Sequence, residues 1–253
     1  MTVVLGFDTA TNATVVGLRR ATGETLQARD DPAPHGHPGH ATRLLTMARD
    51  LLGQAQLGWS AVERVAVGVG PGRFTGLRVG LATARGLAQS LDAELVGVST
   101  LRALALGARR PVDAVGADLA TIAVVDARRG EVFAAAYPAG GADEIAFEQA
   151  LSRAELEQLV DEIERRGGPA GERWQAVGDG ALAYRSELLA AGVIVPPPDS
   201  PLHLLDAAAL CELGADAVAV TSLEKVLPDY RRAPDAALAR GRALAAAARG
   251  GCA

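Results

Sequence analysis

The sequence predicts an α/β fold of two related lobes, each a mixed sheet flanked by helices. Two stretches repeat one pattern, VVLGFDTATNATVVGL at 3–18 and TIAVVDARRGEVFAAAY at 121–137. Each is an apolar strand ending in an aspartate, Asp8 or Asp126, then a polar turn, then a second apolar strand. That reads as a β-hairpin with the carboxylate at its bend. Between the two hairpins, short apolar runs alternate with helical periodicity, as parallel strands joined by crossover helices do. Finally, 49% of residues are hydrophobic but only 4% aromatic, so the core must be Ala, Val and Leu. A chain of 253 residues is long enough for one large core or two small ones.

Element by element, the first lobe is assigned to residues 1–108. After its hairpin comes a helix over 41–52, with Leu44, Leu45, Ala48, Leu51 and Leu52 on one side and Gly53 as its stop. A buried strand over 65–69, a helix over 77–91, a strand over 95–98 and a helix over 100–108 complete it. The second lobe covers 109–200. There Ser152-x-x-Glu155 is a capping box opening a helix to residue 165, with Leu156, Leu159, Val160 and Ile163 facing inward. A strand over 175–177, the turn Gly178-Asp179-Gly180, a helix over 182–190 and a strand over 193–195 follow. Pro196-Pro197-Pro198 can continue neither a helix nor a central strand and reads as a linker. A helix over 202–214 is expected to return to the first lobe. The Ala- and Arg-rich tail at 233–253, with Arg240, Arg242 and Arg249, is expected to be a solvated end.

A formal net charge of -5 gives no basic footprint, so independent nucleic-acid affinity is not expected. Cys211 and Cys252 form no C-x-x-C pair, which fits a reducing compartment. The start MTVVLGFDTA lacks the charge and apolar length of a signal peptide. No stretch reaches the ~20 apolar residues of a membrane helix. A soluble, cytoplasmic protein without membrane contact is expected.

The most informative segment is VAVGVGPGRFTGLRVGLATARGLAQSL at 65–91. A P-loop would require a lysine after the glycines, and none follows. A dinucleotide fingerprint would require a third glycine where Thr75 stands, and an acid after the next strand, which ends Val98-Ser99. A close-packed strand–helix junction remains, with Thr75 as helix cap. Along that helix Gly76, Gly80, Ala84 and Ala88 recur every four residues and line one face. Glycine inside a helix costs roughly 1 kcal/mol relative to alanine. Two of them imply a close neighbour, either the protein's own sheet or another chain.

Five strings in order, Asp8-Thr9-Ala10-Thr11, GPGRFTGLRVG at 70–80, GVST at 97–100, DARRGEVF at 126–133 and Pro228-Asp229-Tyr230-Arg231-Arg232, resemble the motifs of the TsaB family, formerly YeaZ. The resemblance spans residues 1 to about 232. It implies the actin/sugar-kinase/Hsp70-like (ASKHA) fold, two α/β lobes with a cleft between them. It also implies a non-catalytic role. Family members pair with the homologous TsaD, together with the ATPase TsaE. TsaD transfers a threonylcarbamoyl group to N6 of adenosine 37 in tRNAs decoding ANN codons. Contact with tRNA is then expected only through the complex, with no catalytic residue, cofactor or metal in this chain.

The catalytic relative holds a metal through two histidines four residues apart on one helix. Here His40 opens the corresponding helix, but Leu44 occupies the second position. His35 and His37 lie in a Pro/Gly-rich loop, and His37-x-x-His40 lacks the further ligands of a structural zinc site. Asp8, Thr9 and Asp126 could orient a nucleotide weakly or simply hold their turns. Gly178-Asp179-Gly180 lacks the adjacent glycine pair of an adenosine loop. Family members dock through the two helices of the first lobe. That implies a partner interface of Leu44, Leu45, Ala48, Leu51, Leu52, Gly76, Gly80 and Ala84, apolar knobs against a small-residue groove. The same surface would serve a homodimer. The alternatives are a stand-alone nucleotide-dependent transferase or kinase of the same fold, a peptidase, for which no ligand set or Ser/His/Asp signature exists, and a binding module for another partner.

Overall fold

The first hairpin becomes two antiparallel strands, β1 (Val4–Asp8) and β2 (Thr14–Arg19), in register from Val4 opposite Arg19 to Asp8 opposite Val15. The computed structural model describes residues 2–33, 36–109, 119–139, 144–147 and 149–231. A third strand, β3 (Thr25–Asp30), continues the meander at the sheet edge. The sequence reading missed it because an edge strand with a wet face, TLQARD, has no apolar run. The parallel strands β4 (Arg64–Gly70) and β5 (Glu94–Ser99) follow, giving the order β3-β2-β1-β4-β5. Three antiparallel strands continued by two parallel ones form the actin/sugar-kinase/Hsp70-like lobe.

Helices α1 (His40–Gln54) and α2 (Phe74–Leu91) cover one face of this sheet, packing Leu44, Leu51 and Leu81 against Phe7 and Val67. Helix α3 (Thr100–Arg109) lies on the other face. The second sheet has β6 (Ala120–Arg128), β7 (Glu131–Tyr137), β8 (Ile145–Ala146), β9 (Leu151–Ser152) and β10 (Trp174–Val177), in the order β10-β6-β7-β8 with β9 also on β7. Helices α4 (Arg153–Leu156), α5 (Leu159–Arg165), α6 (Asp179–Ala183) and α7 (Arg185–Ala190) accompany it. The last helix, α8 (Ala207–Asp216), lies on the first sheet, where Cys211 fills the space over Gly6 and Gly17. The lobes share a core: Leu101 and Leu104 of α3 pack with Val96 and Val98 of one sheet and Val125 and Val177 of the other.

Several boundaries differ from the sequence reading. Helix α1 passes through Gly53 to Gln54, since the Ala55 N–H still finds Leu51 O at 2.9 Å. The capping box forms, with the Ser152 N–H donating to Glu155 Oε2 at 2.7 Å. The helix it opens is not continuous, however, and breaks at Glu157–Gln158 into α4 and α5. The 182–190 helix divides at Tyr184 into α6 and α7. The 193–195 strand reduces to one bridge between Gln175 and Ile194. Residues 202–214 divide into a 3-10 turn at Pro201–His203 and α8, whose N-cap Asp206 accepts the Ala208 N–H at 3.0 Å. The 233–253 tail, with Arg240, Arg242, Arg249 and Cys252, lies outside the described residues, as do His35 and Arg232. Among the described residues no helix is long and apolar enough to cross a membrane.

Candidate functional site

Asp8, at the end of β1, is fully buried. Its Oδ1 accepts the Ala10 N–H at 2.7 Å and its Oδ2 accepts the Thr100 hydroxyl at 2.6 Å. Thr100 Oγ1 in turn accepts the Gly70 N–H at 3.2 Å. A Cβ at Gly68 would overlap the carboxylate, so β4 is pressed directly onto it. Burial pushes the Asp8 pKa up, and the bonds from Thr100 and Ala10 pull against that. Asp8 therefore ties three chain segments of its own lobe together. Thr9 does the same for α2: its hydroxyl donates to Gly76 O at 2.8 Å.

Asp126 stands at the mirror position in β6, half-buried and lining the cleft. Its Oδ1 accepts the Arg128 N–H at 2.8 Å, its Oδ2 pairs with Arg128 Nη1 at 3.3 Å, and its own N–H donates to Asp179 Oδ1 at 3.0 Å. Asp179 keeps an exposed edge, yet the atoms packed around its carboxyl raise its pKa. The Asp126 N–H lowers it and the Asp126 charge raises it again. The hairpin turns through Arg128, Arg129 and Gly130, with φ of 65°, 60° and 84°. Two arginines held in the left-handed region are unusual for residues with a Cβ, and both line the cleft.

The cleft between the lobes has a volume of about 610 Å³. One wall is the start of α2, Gly72 to Gly76, another is the Asp126–Arg129 hairpin, and a third is the segment Asp229–Arg231. That segment is a strap between lobes. Its Asp229 N–H donates to Val69 O in the first lobe at 2.7 Å. Arg231 pairs with Asp229 at 2.9 Å and reaches Phe147 O at 2.6 Å and Ala134 O at 3.3 Å in the second lobe. Tyr230 lies 5.2 Å from the Phe74 ring, and the Arg78 guanidinium sits 3.9 Å from the same ring. The sequence reading singled out these strings but assigned no role to Arg73, Phe74, Arg128, Arg129 or Arg231. Their clustering joins residues up to 158 positions apart, which no spacing rule reveals.

His40, the first residue of α1, is buried, with Nδ1 2.9 Å from Thr14 Oγ1. Burial lowers its pKa most, the Thr11 backbone raises it, Arg73 lowers it and Asp30 raises it. Leu44, four residues on, is 1% exposed in the apolar core. Among the described residues no group of three or more His, Cys, Asp and Glu is placed to hold a metal ion.

The expected interface needs correction. Leu44, Ala48, Leu51, Leu52 and Ala84 belong to the first lobe's own core. Gly76 and Gly80 face Thr9, and a Cβ on either would overlap its atoms. Thr75 is not the helix cap: α2 begins at Phe74, after Arg73 in extended conformation, with no side-chain cap. Helical periodicity identifies a face that is covered but not what covers it, and here the cover is the chain's own sheet. Of the eight residues only Leu45, 46% exposed, looks outward. The outer face of α2 carries Ala82 and Gly86, and among the described residues nothing lies within 4 Å of a Cβ at Gly86.

The family model described as "TsaD: tRNA N6-adenosine threonylcarbamoyltransferase" matches residues 36–242. A crystal structure of a Pseudomonas aeruginosa protein with similarity to peptidase YeaZ aligns at 30% identity and a TM-score of 0.70, covering 92% of this chain and 100% of that one. The chain belongs to the TsaB/YeaZ family. YeaZ from Pseudomonas aeruginosa itself aligns at 28% identity and a TM-score of 0.68, covering 90% and 99% of the two chains. The tRNA threonylcarbamoyladenosine biosynthesis protein TsaB of Escherichia coli (strain K12) is 37% identical over 134 residues, 53% of this chain and 54% of its own length. TsaB of Haemophilus influenzae is 35% identical over 130 residues, 51% of each. The chain thus spans about half the length of the curated relatives it matches. The TsaB/YeaZ strings at 70–80, 126–133 and 228–231 supply the three walls of the cleft.

Proposed function

We propose that the chain is a non-catalytic subunit required for forming N6-threonylcarbamoyladenosine at position 37 of tRNA, docking onto a TsaD catalytic subunit together with TsaE. It works in the cytoplasm and reaches tRNA only within that assembly. The TsaB relatives, named for tRNA threonylcarbamoyladenosine biosynthesis, support the pathway. The observation that carries the non-catalytic reading is Asp8, whose carboxylate is spent on Thr100 and Ala10 under the backbone of Gly68. A carboxylate committed on both oxygens to its own lobe is not offered to a metal or phosphate in the cleft. Leu44 in the core points the same way.

In this reading the first lobe, residues 1–108 with the segment at 202–214 that contains most of α8, is the docking lobe, and 109–200 is the second. Docking uses the outward faces of α1 and α2, at Leu45, Ala82 and Gly86, while the buried set Leu44, Ala48, Leu51, Leu52, Gly76, Gly80 and Ala84 holds the helices in place. Gly86 supports this: a helix-interior glycine costs about 1 kcal/mol against alanine, and no neighbour among the described residues requires it. A partner backbone close to Gly86 would. Without TsaD the same face pairs two copies.

The test is calorimetric titration of Gly86→Leu into TsaD. Nothing among the described residues obstructs the new side chain, so the fold should survive while affinity falls about tenfold or more. A well-folded variant with wild-type affinity would remove this face from consideration. Depleting the chain from cells should also lower threonylcarbamoyladenosine in tRNA, read by mass spectrometry. The family model bears a transferase's name, which favours an active transferase as the second reading. Modification of tRNA by the purified chain without TsaD would establish it.

A further inference from the structure

We propose that the outer face of α2 is built for an acidic partner helix, one carrying two carboxylates about two turns apart that meet Arg78 and Arg85. This rests on the docking reading above and adds to it the chemistry of the surface that α2 meets.

The charge pattern of α2 is one-sided. Its 18 residues, FTGLRVGLATARGLAQSL, include two arginines and no acid. Arg78 and Arg85 are seven residues apart, so they point to the same side of the helix, about 10 Å from each other along its axis. They flank the exposed Ala82 and Gly86. The next acid, Asp92, comes only as the helix ends.

Both side chains are held in place by neutral groups. The Arg78 guanidinium sits 3.9 Å from the centre of the Phe74 ring, and its Nε donates to the Tyr230 hydroxyl at 3.3 Å. Arg85 Nη2 donates to Val226 O at 2.8 Å, and its Nε is buried without an acceptor among the described residues. None of these contacts cancels the positive charge. The neighbouring helix differs. On α1, Arg43 pairs with Asp30 at 3.0 Å and Arg49 pairs with Asp50 at 2.9 Å. The docking face is therefore neutralised along α1 and doubly positive along α2, on a chain whose formal net charge is -5.

A guanidinium that loses water on docking needs a carboxylate in its place. Its planar fork suits a bidentate pair. Both guanidinia are already fixed, so pairing freezes little more side-chain freedom. Gly86 lets the partner's backbone approach beside Arg85. A second copy of the chain is a poorer occupant. Two copies joined through α2 bring four arginines to one interface, and the acids of α1 are already matched. Like charges facing each other oppose association.

The experiment measures binding of the full chain to TsaD by calorimetry at about 0.1 M and about 1 M chloride, between which the screening length falls from about 10 to about 3 Å. Wild type should bind about tenfold or more tightly at the lower salt. The double variant Arg78→Gln, Arg85→Gln should lose about tenfold at the lower salt together with most of the salt dependence. The double variant Arg78→Lys, Arg85→Lys keeps both charges and should stay within about threefold of wild type. Melting temperatures check that both are folded, and the salt dependence of wild type needs no variant. Self-association, followed by sedimentation, should run the other way and tighten as salt rises. Complexes that Gly86→Leu abolishes but the glutamine variant leaves unchanged in affinity and salt dependence would overturn this proposal alone. So would self-association that is tighter at the lower salt, which would make the second copy the occupant. Failure of wild type to bind TsaD at either salt would overturn the docking reading itself.

Discussion

Replacing Thr100 with valine tests whether Asp8 is a structural tie. Valine keeps the shape and removes one oxygen. That oxygen donates to Asp8 Oδ2 at 2.6 Å and accepts the Gly70 N–H at 3.2 Å, both buried. Loss of a hydrogen bond to a carboxylate costs about 1.5–3 kcal/mol, and an orphaned buried amide costs about 1–3 kcal/mol. The added methyl returns about 0.8 kcal/mol of burial. A net destabilisation of about 2–5 kcal/mol is expected, measured by urea unfolding followed by circular dichroism. The pH dependence supplies a second check. Burial holds the Asp8 pKa above its ordinary value, and the Thr100 bond partly counters this. A carboxyl whose pKa is raised in the folded state loses stability as pH climbs from the ordinary aspartate range to the raised value, because the unfolded chain gives up its proton first. Without Thr100 that window extends further upward. The penalty should therefore grow with pH across the acidic range and level off above the variant's Asp8 pKa. A loss below about 1 kcal/mol, or one independent of pH, would show that the carboxylate is not held in this way.

Four further outcomes are expected. Gly80→Leu should fail at folding, with a large drop in soluble yield and melting temperature, because a Cβ there already overlaps Thr9 Oγ1; a stable variant that only loses its partner would restore the interface this glycine was first expected to form. Gly86→Ala should raise stability by about 0.5–1 kcal/mol in chemical denaturation, since its Cβ meets open space. Arg231→Met should cost about 1.5–3 kcal/mol through the lost bonds to Phe147 O and Ala134 O, and should raise the radius of gyration in small-angle scattering as the strap loosens. The His40 imidazole should titrate below an ordinary histidine by NMR; because its folded pKa is depressed, stability falls as pH drops through the ordinary histidine range towards that lower value, and His40→Gln should flatten this slope.

The two hairpins were legible because a period of two with a polar bend is a local signal, and Val4–Arg19 and Thr121–Tyr137 pair in the register that signal implies. The α/β alternation was legible for the same reason. Strand β3 was not, because half its residues face water and its place at the edge is fixed by pairing with β2. The break between α4 and α5 also escaped notice: Leu156, Leu159 and Ile163 keep helical spacing across it, so the pattern survives where the hydrogen bonds do not. The cleft was legible only as three separate strings. Their convergence depends on the shared core around α3 and on Arg231 reaching across to carbonyls 84 and 97 residues earlier.

The small residues of α2 separate into two kinds once neighbours are known. Gly76 and Gly80 are small because Thr9 is there, and the hydroxyl bond from Thr9 to Gly76 O fixes the helix against the end of β1. The same contact anchors Asp8 one residue earlier, so the close packing of α2 and the internal commitment of that carboxylate are one structural decision. Gly86 has no such reason among the described residues. A helix that is rigidly seated on its inner face and has an unexplained glycine on its outer face suits a docking surface. The inner contacts remove the freedom that binding would otherwise have to freeze, and preorganisation of that kind strengthens association without adding a contact.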